Sequence, residues 1–179
     1  PYEVKTFGLT LKKSDADLKK SASTHIPLDY DDREEKFNIP DNLFKNKITA
    51  FGTDFDIPKN AYMHANAQTL ECQKGEKIRL LCAALGDDID DEFIVDSKPV
   101  IKRVNSLTQA YARWDLYDFG ETAYIKDGHL GWEFTHCLDE NGEVQYAKSL
   151  YFWVLTFDSI VTLPKNDNII VLAASAVSA

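Results

Sequence analysis

The sequence predicts an all-β fold, an antiparallel β-sandwich of the jelly-roll or Ig-like kind with few or no helices. Three observations carry that prediction. Short apolar or alternating runs recur at a spacing of about 8–12 residues, bounded by Gly, Pro, Asn and Asp. About twelve such runs fit in the 179 residues, and they are rich in Val, Ile, Tyr, Phe and Thr. No stretch shows the apolar repeat of an amphipathic helix longer than three turns.

Taken in order, "YEVKTFGLTL" (2–11) alternates, with Val4 and its neighbours on one face and Lys5 on the other. "KKSDADLKKSASTH" (12–25) is polar and predicts a loop. "IPLDYDDREEKFNIPDNLF" (26–44) holds two prolines and many acids, and predicts irregular structure with one short strand. "KITAFG" (47–52) is a short strand, and "NAYMHANAQTLEC" (60–72) holds two more around an Asn66–Ala67 turn. "EKIRLLCAAL" (76–85) puts Ile78, Leu80 and Cys82 on one face and Leu81 and Ala83 on the other. That suits a strand buried on both faces, with a short helix as the alternative that periodicity leaves open.

"EFIVD" (92–96) and "PVIKRV" (99–104) flank "SK" and predict a tight hairpin. "NSLTQAYARW" (105–114) is the one stretch where a helix is an alternative. "RWDLYDF" (113–119), "ETAYIK" (121–126) and "LGWEFTHCL" (130–138) are strand runs, closed by the turn "DENG" (139–142). "VQYAKSLYFWVLTF" (144–157) reads as one long strand. "SIVTLP" and "NIIVLAASAV" flank "KND" and read as a hairpin.

The chain reads as a single domain over 1–179, irregular over 12–45, with no internal repeat. Its net charge of −9 disfavours phosphate backbones and anionic lipid, so neither nucleic acid nor membrane is an expected partner. No apolar run reaches the roughly 20 residues of a membrane span. The start "PYEVKTFG" lacks the basic and apolar parts of a secretory leader and lacks Met, so a piece of a longer chain is expected. Cys72, Cys82 and Cys137 are odd in number and show no CxxC spacing, which speaks against a disulfide framework and a cysteine zinc site and suits a reducing cytoplasm.

"GDDIDDEF" (86–93) is the densest cluster of chemistry, five carboxylates in eight residues. Asp87, Asp88, Asp90 and Asp91 could bind a cation, but their spacing is not that of an EF-hand loop. Catalytic carboxylate pairs face each other across a substrate and do not crowd one turn. The favoured reading is an acidic turn between two strands. His25, His64, His129 and His136 form no HxH, HxxH or HExxH pattern, so spacing assigns no metal site. There is no G-x-S-x-G and no glycine-rich phosphate loop. If 130–138 pairs with 144–152, His136 and Tyr146 come together as a polar and aromatic patch, and these two with Trp132 and His129 are the candidates to face a sugar or another domain. Trp114, Trp132 and Trp153 could stack sugars, although aromatics in sandwiches more often fill the core. No catalytic residue and no cofactor-binding residue is assigned.

The ordered series of segments resembles a known family, glycoside hydrolase family 38, the α-mannosidases. "PYEVKTFGLTL" looks like the segment that closes their large β-domain, making 1–12 the tail of a preceding domain. "LDYD" (28–31), "FGTDF" (51–55), "NAYMHANAQTL" (60–70) and "KIRLLCAALGDDIDDEFIVD" (77–96) are similar in order to strands of their C-terminal β-sandwich. "RWD" (113–115), "GWEFTHCLDENGEVQYAKSLYFWVL" (131–155) and the finish "VTLPKNDNIIVLAASAV" (161–177) continue the likeness. Many bacterial members carry H-R-H where this chain has "THC" (135–137), which sets His136 against the first His and Cys137 in place of Arg.

The resemblance implies a non-catalytic C-terminal sandwich of a zinc-dependent retaining glycosidase. In that family the zinc and the Asp nucleophile belong to a catalytic domain that no segment here resembles. The implied partner is that catalytic domain of the same parent chain, with mannosides and a homo-oligomer of the parent as further partners, in the cytoplasm. The alternatives are an independently acting carbohydrate-binding module and a protein-interaction sandwich unrelated to sugars.

Overall fold

The structure is a computed structural model that describes residues 4–7, 18–20, 25–27, 38–40, 46–58, 61–117, 120–139, 143–145 and 149–178. Every regular element among them is a β-strand and every strand pair is antiparallel, apart from one isolated parallel bridge between Ala84 and Ser106.

The main sheet has the order β14 (His129–Phe134), β17 (Leu150–Phe157), β9 (Glu76–Ala84), β19 (Lys165–Ser178), β7 (Ala61–Asn66) and β2 (Leu18–Lys20). A seventh strand, β1 (Val4–Phe7), pairs the far end of β19 on the edge it shares with β7. A second sheet runs β11 (Lys98–Val104), β10 (Ile89–Val95), β18 (Val161–Thr162) and β8 (Thr69–Leu70). Smaller units complete the fold. They are the hairpins β5 (Lys47–Ala50)–β6 (Thr53–Asp56) and β12 (Ala112–Tyr117)–β13 (Gly120–Ile125), and the short sheet β16 (Val144–Gln145), β15 (Cys137–Leu138), β4 (Asn38–Pro40) and β3 (His25–Pro27).

The main sheet is covered on both faces. Toward the second sheet it packs Ile78, Leu80, Cys82, Ile169 and Val171 against Phe93, Val104, Val161 and Leu163. Toward the β5–β6 hairpin it packs Leu81, Ala83, Phe152, Val154, Ile170 and Leu172 against Ala50, Phe55 and Ile57. This is why β9 reads as an unbroken apolar run, and its two faces are those the alternation predicts. Burial pushes the Cys82 thiol up to about 12, and all three cysteines are free.

A bulge re-aims the end of β19. The register against β9 shifts between Val171 and Ala173, so Ala173 joins the hairpin-side core and Ala174 the other. Ser175 then opposes Arg79 and donates to the Asp54 carbonyl of β6 at 2.6 Å.

Several expectations are corrected. The polar stretch 12–25 contains β2 and the first residue of β3, and 26–44 contributes to two short strands, β3 and β4. "KITAFG" is a strand only to Ala50. Phe51 and Gly52, with φ of 49° and 66°, turn the chain into β6. The turn between β10 and β11 is Asp96–Ser97, not "SK", because those two residues take positive φ, 48° and 65°.

Residues 105–111 form no helix. Asn105 and Leu107 are pinned to the end of β9 through Ala84 N–H to the Asn105 carbonyl (2.9 Å) and Leu107 N–H to the Ala84 carbonyl (2.8 Å). The long run 144–157 divides into β16 and β17, which lie in different sheets. The C-terminal hairpin is absent as well. β18 pairs β10 and β8, whereas β19 pairs β9, β7 and β1, so the chain crosses between sheets at Leu163 and Pro164. Ile169 and Val171 are buried all the same.

Candidate functional site

The acidic segment sits where the chain leaves the main sheet for the second one. Gly86, at φ 89°, makes that corner. Asp88 accepts from the Ser106 N–H at 2.7 Å and pairs with the ammonium of Lys126, whose side chain is only 3% exposed against 20% for Asp88. Gln109 joins the group. Its Oε1 accepts from Lys126 Nζ at 2.7 Å and its Nε2 donates to Asp87 at 2.6 Å. Ser106 Oγ donates to the Gly86 carbonyl and accepts from the N–H groups of Thr108 and Gln109. The indole N–H of Trp153 donates to the Ser106 carbonyl at 3.1 Å.

Asp90 opposes Arg103 across β10–β11 and takes a two-pronged bond at 2.8 and 2.6 Å, which holds its carboxyl below the usual range. Asp91 accepts from Asn166 at 2.7 Å. Four of the five acids are thus spent on binding other parts of the chain. An ammonium stands beside Asp88 where a cation would sit, and no group of three His, Cys, Asp or Glu able to hold a metal occurs among the described residues.

The residues proposed to face a sugar or another domain divide. Trp132 is half-buried, 4.3 Å from the Phe134 ring, and packs against the core. Trp153 is 2% exposed. The Trp114 side chain lies outside the described part of the structure, so two of the three indoles are committed to packing. His136 is half-buried beside Thr135. Tyr146 lies outside the described residues; the nearest described pair is Cys137 with Gln145. His129 starts β14 and His136 lies just past its end, on the order of 20 Å apart at strand rise. The fold therefore does not bring the two histidines together.

His129 has a different neighbour. Its ring stacks on Phe51, with centroids 3.8 Å apart and planes at 19°. Phe51 is 47% exposed at the tip of the β5–β6 hairpin. The Arg79 guanidinium lies 4.8 Å from the Phe51 ring centre, and its Nη1 donates to the Phe51 carbonyl at 2.7 Å and to Thr53 Oγ1. Arg79 takes no part in the ion pairs seen among the described residues, such as Lys47–Asp54, Lys77–Asp158, Arg103–Asp90 and Lys126–Asp88. Its cross-strand partner on β17 is Thr156. Arg79 Nε and Thr156 Oγ1 are both buried and have no hydrogen-bond partner.

Sequence reasoning missed Phe51, Arg79 and Thr156. One signal was present: a residue followed by Gly between the alternating runs "KITA" and "TDFD" marks a two-residue hairpin turn. Nothing local marks Arg79 or Thr156, which meet only through the β9–β17 register.

A family model for the AziU2-like beta-sandwich domain matches residues 13–179. Its description names a sandwich, and neither a glycoside hydrolase nor a mannosidase nor a sugar. No curated protein matches the chain.

Proposed function

We propose that this chain, which belongs to the family of AziU2-like β-sandwich domains, is a non-catalytic sandwich that supports a catalytic body carried elsewhere. One observation carries the reading. The side chains best suited to chemistry, the acids of residues 87–91, are bonded to Gln109, Lys126, Arg103 and Asn166 of the same chain. A carboxylate held by an internal ammonium or guanidinium fixes loops and is not free to move a proton for a substrate. Apolar side chains in solvent add to it. Ile125 and Ile101 are 74% and 64% exposed, and Tyr111 stands beside Ile125 through the bond from Lys126 N–H to its carbonyl. The neighbouring Ile125 and Tyr111 suit a patch that another domain covers.

The finer form of the proposal is the C-terminal sandwich of a family 38 α-mannosidase. In it the absent catalytic domain, with its zinc, is the partner, and the parent cleaves terminal α-mannosides in the cytoplasm. It rests on the ordered sequence segments from "LDYD" to "VTLPKNDNIIVLAASAV" alone. The second reading, an independent sugar-binding module, is weakened by the packing of Trp132 and Trp153.

The test is an aryl α-mannoside hydrolysis assay on the pure chain with added zinc, beside calorimetric titration with mannose and short α-mannosides. The expected result is neither hydrolysis nor binding. Hydrolysis would overturn the non-catalytic reading, and saturable binding would transfer the case to the sugar-binding module.

A further inference from the structure

The β5–β6 tip, β9, β14 and β17 bring together features that the supporting role does not use. Among the described residues Arg79 has no carboxylate partner, in a chain whose net charge is −9. Buried cations are usually paired, so an unpaired one beside solvent calls for an anion. Its Nε–H and the Thr156 hydroxyl are cross-strand neighbours that both lack a partner. Buried polar groups left unbonded are rare enough to require a cause. The roof over them is strained. Phe51 takes φ 49°, a conformation that bulky L-residues avoid, and its ring stays 47% exposed while stacked on His129.

We propose that Arg79 and Thr156 form a binding site for a small-molecule carboxylate, with Phe51 and His129 stacking on the body of the ligand. Both groups can donate, and they are carried by residues paired across β9 and β17. Arg79 Nε–H binds one carboxylate oxygen and the Thr156 hydroxyl donates to the other, which satisfies both orphaned groups with a single ligand. Entry requires the hairpin tip to lift, releasing the Phe51 carbonyl from Arg79 Nη1. A flat, apolar body then lies along the exposed edge of the Phe51–His129 stack, so an aromatic acid binds more tightly than a simple one. This site is independent of the supporting role proposed above.

The experiment is an NMR titration of the chain with sodium benzoate, following the His129 ring signals, which sense any movement of Phe51. Benzyl alcohol, with the same ring and no carboxylate, is the control, and acetate reports the carboxylate alone. The expected result is a saturable shift with benzoate, a weaker one with acetate and none with benzyl alcohol. Thr156→Val keeps a strand-forming side chain of similar shape and removes a hydroxyl that has no partner, so the variant folds. It should weaken benzoate about tenfold or more, the loss of one hydrogen bond to a charged group. Absence of a saturable benzoate shift overturns the proposal. An equal response to benzyl alcohol, or unchanged affinity in Thr156→Val, overturns it too.

Discussion

Lys126 shows how one residue can hold three segments. Its ammonium, almost removed from water, ties Asp88 at the Gly86 corner to Gln109 in the 105–111 segment, and its own N–H bonds Tyr111. Lys126→Met leaves the Asp88 carboxylate half-buried without its cation. The expected cost is about 3 kcal/mol by urea denaturation, with partial recovery when Asp88→Asn is added. Other acids act at the surface. Hydrogen bonds from Lys47, Arg103 and Lys77 lower the pKa values of Asp54, Asp90 and Asp158. A carboxyl with a depressed native pKa contributes stability that is present above its unfolded value, about 3.9, and is lost as pH falls through the native one. Urea midpoints should therefore change little from these groups down to about pH 5 and drop below it. Replacing all three acids by Asn should flatten that acid limb.

Single strands carry their own constraints. Gly131 lies at the β14 bulge, where the register against β17 shifts between Leu130 and Trp132. A Cβ there would meet Leu81 Cδ1 at 2.5 Å, Val154 Cγ2 at 3.1 Å and the Phe152 carbonyl oxygen at 3.2 Å. The last is backbone and cannot swing aside. Gly131→Ala should cost about 2 kcal/mol, as overpacking does, seen as a lower thermal midpoint with the β content by circular dichroism unchanged. The β19 bulge has a different consequence. It turns Ser175 toward the hairpin, and so builds one wall of the Arg79 cluster.

Across the whole molecule, one sheet divides the apolar interior into two cores. Leu80 and Leu81 are neighbours in sequence and belong to different cores, one facing the second sheet and the other the β5–β6 hairpin. Each Leu→Ala change should cost about 2–5 kcal/mol. The two share no side-chain partners, so their costs should add to within about 0.5 kcal/mol in a double mutant. A large departure from additivity would show that the cores are coupled through the β9 backbone.

The sequence by itself determined the strand character of the chain, the two apolar faces of β9 and a corner at Gly86, but it took the whole acidic run for a turn, whereas Asp90, Asp91 and Glu92 belong to strand β10 and pair with β11. These are local matters: side-chain period, β-branched content and turn residues act over a few positions. It misjudged where the strands go. "VQYAKSLYFWVLTF" reads as one strand and serves two sheets; "SIVTLP" and "NIIVLAASAV" read as a hairpin and lie in different sheets. Pairing is set by partners distant in the chain, and period-two alternation does not name them. The same holds for the candidate site. His129 was visible as a histidine at the head of a strand, but its partner Phe51 lies 78 positions earlier (129 − 51). Arg79 and Thr156 read as ordinary strand residues, and only the antiparallel register of β9 and β17 sets the residue with an unbonded guanidinium Nε opposite the one with an unbonded hydroxyl.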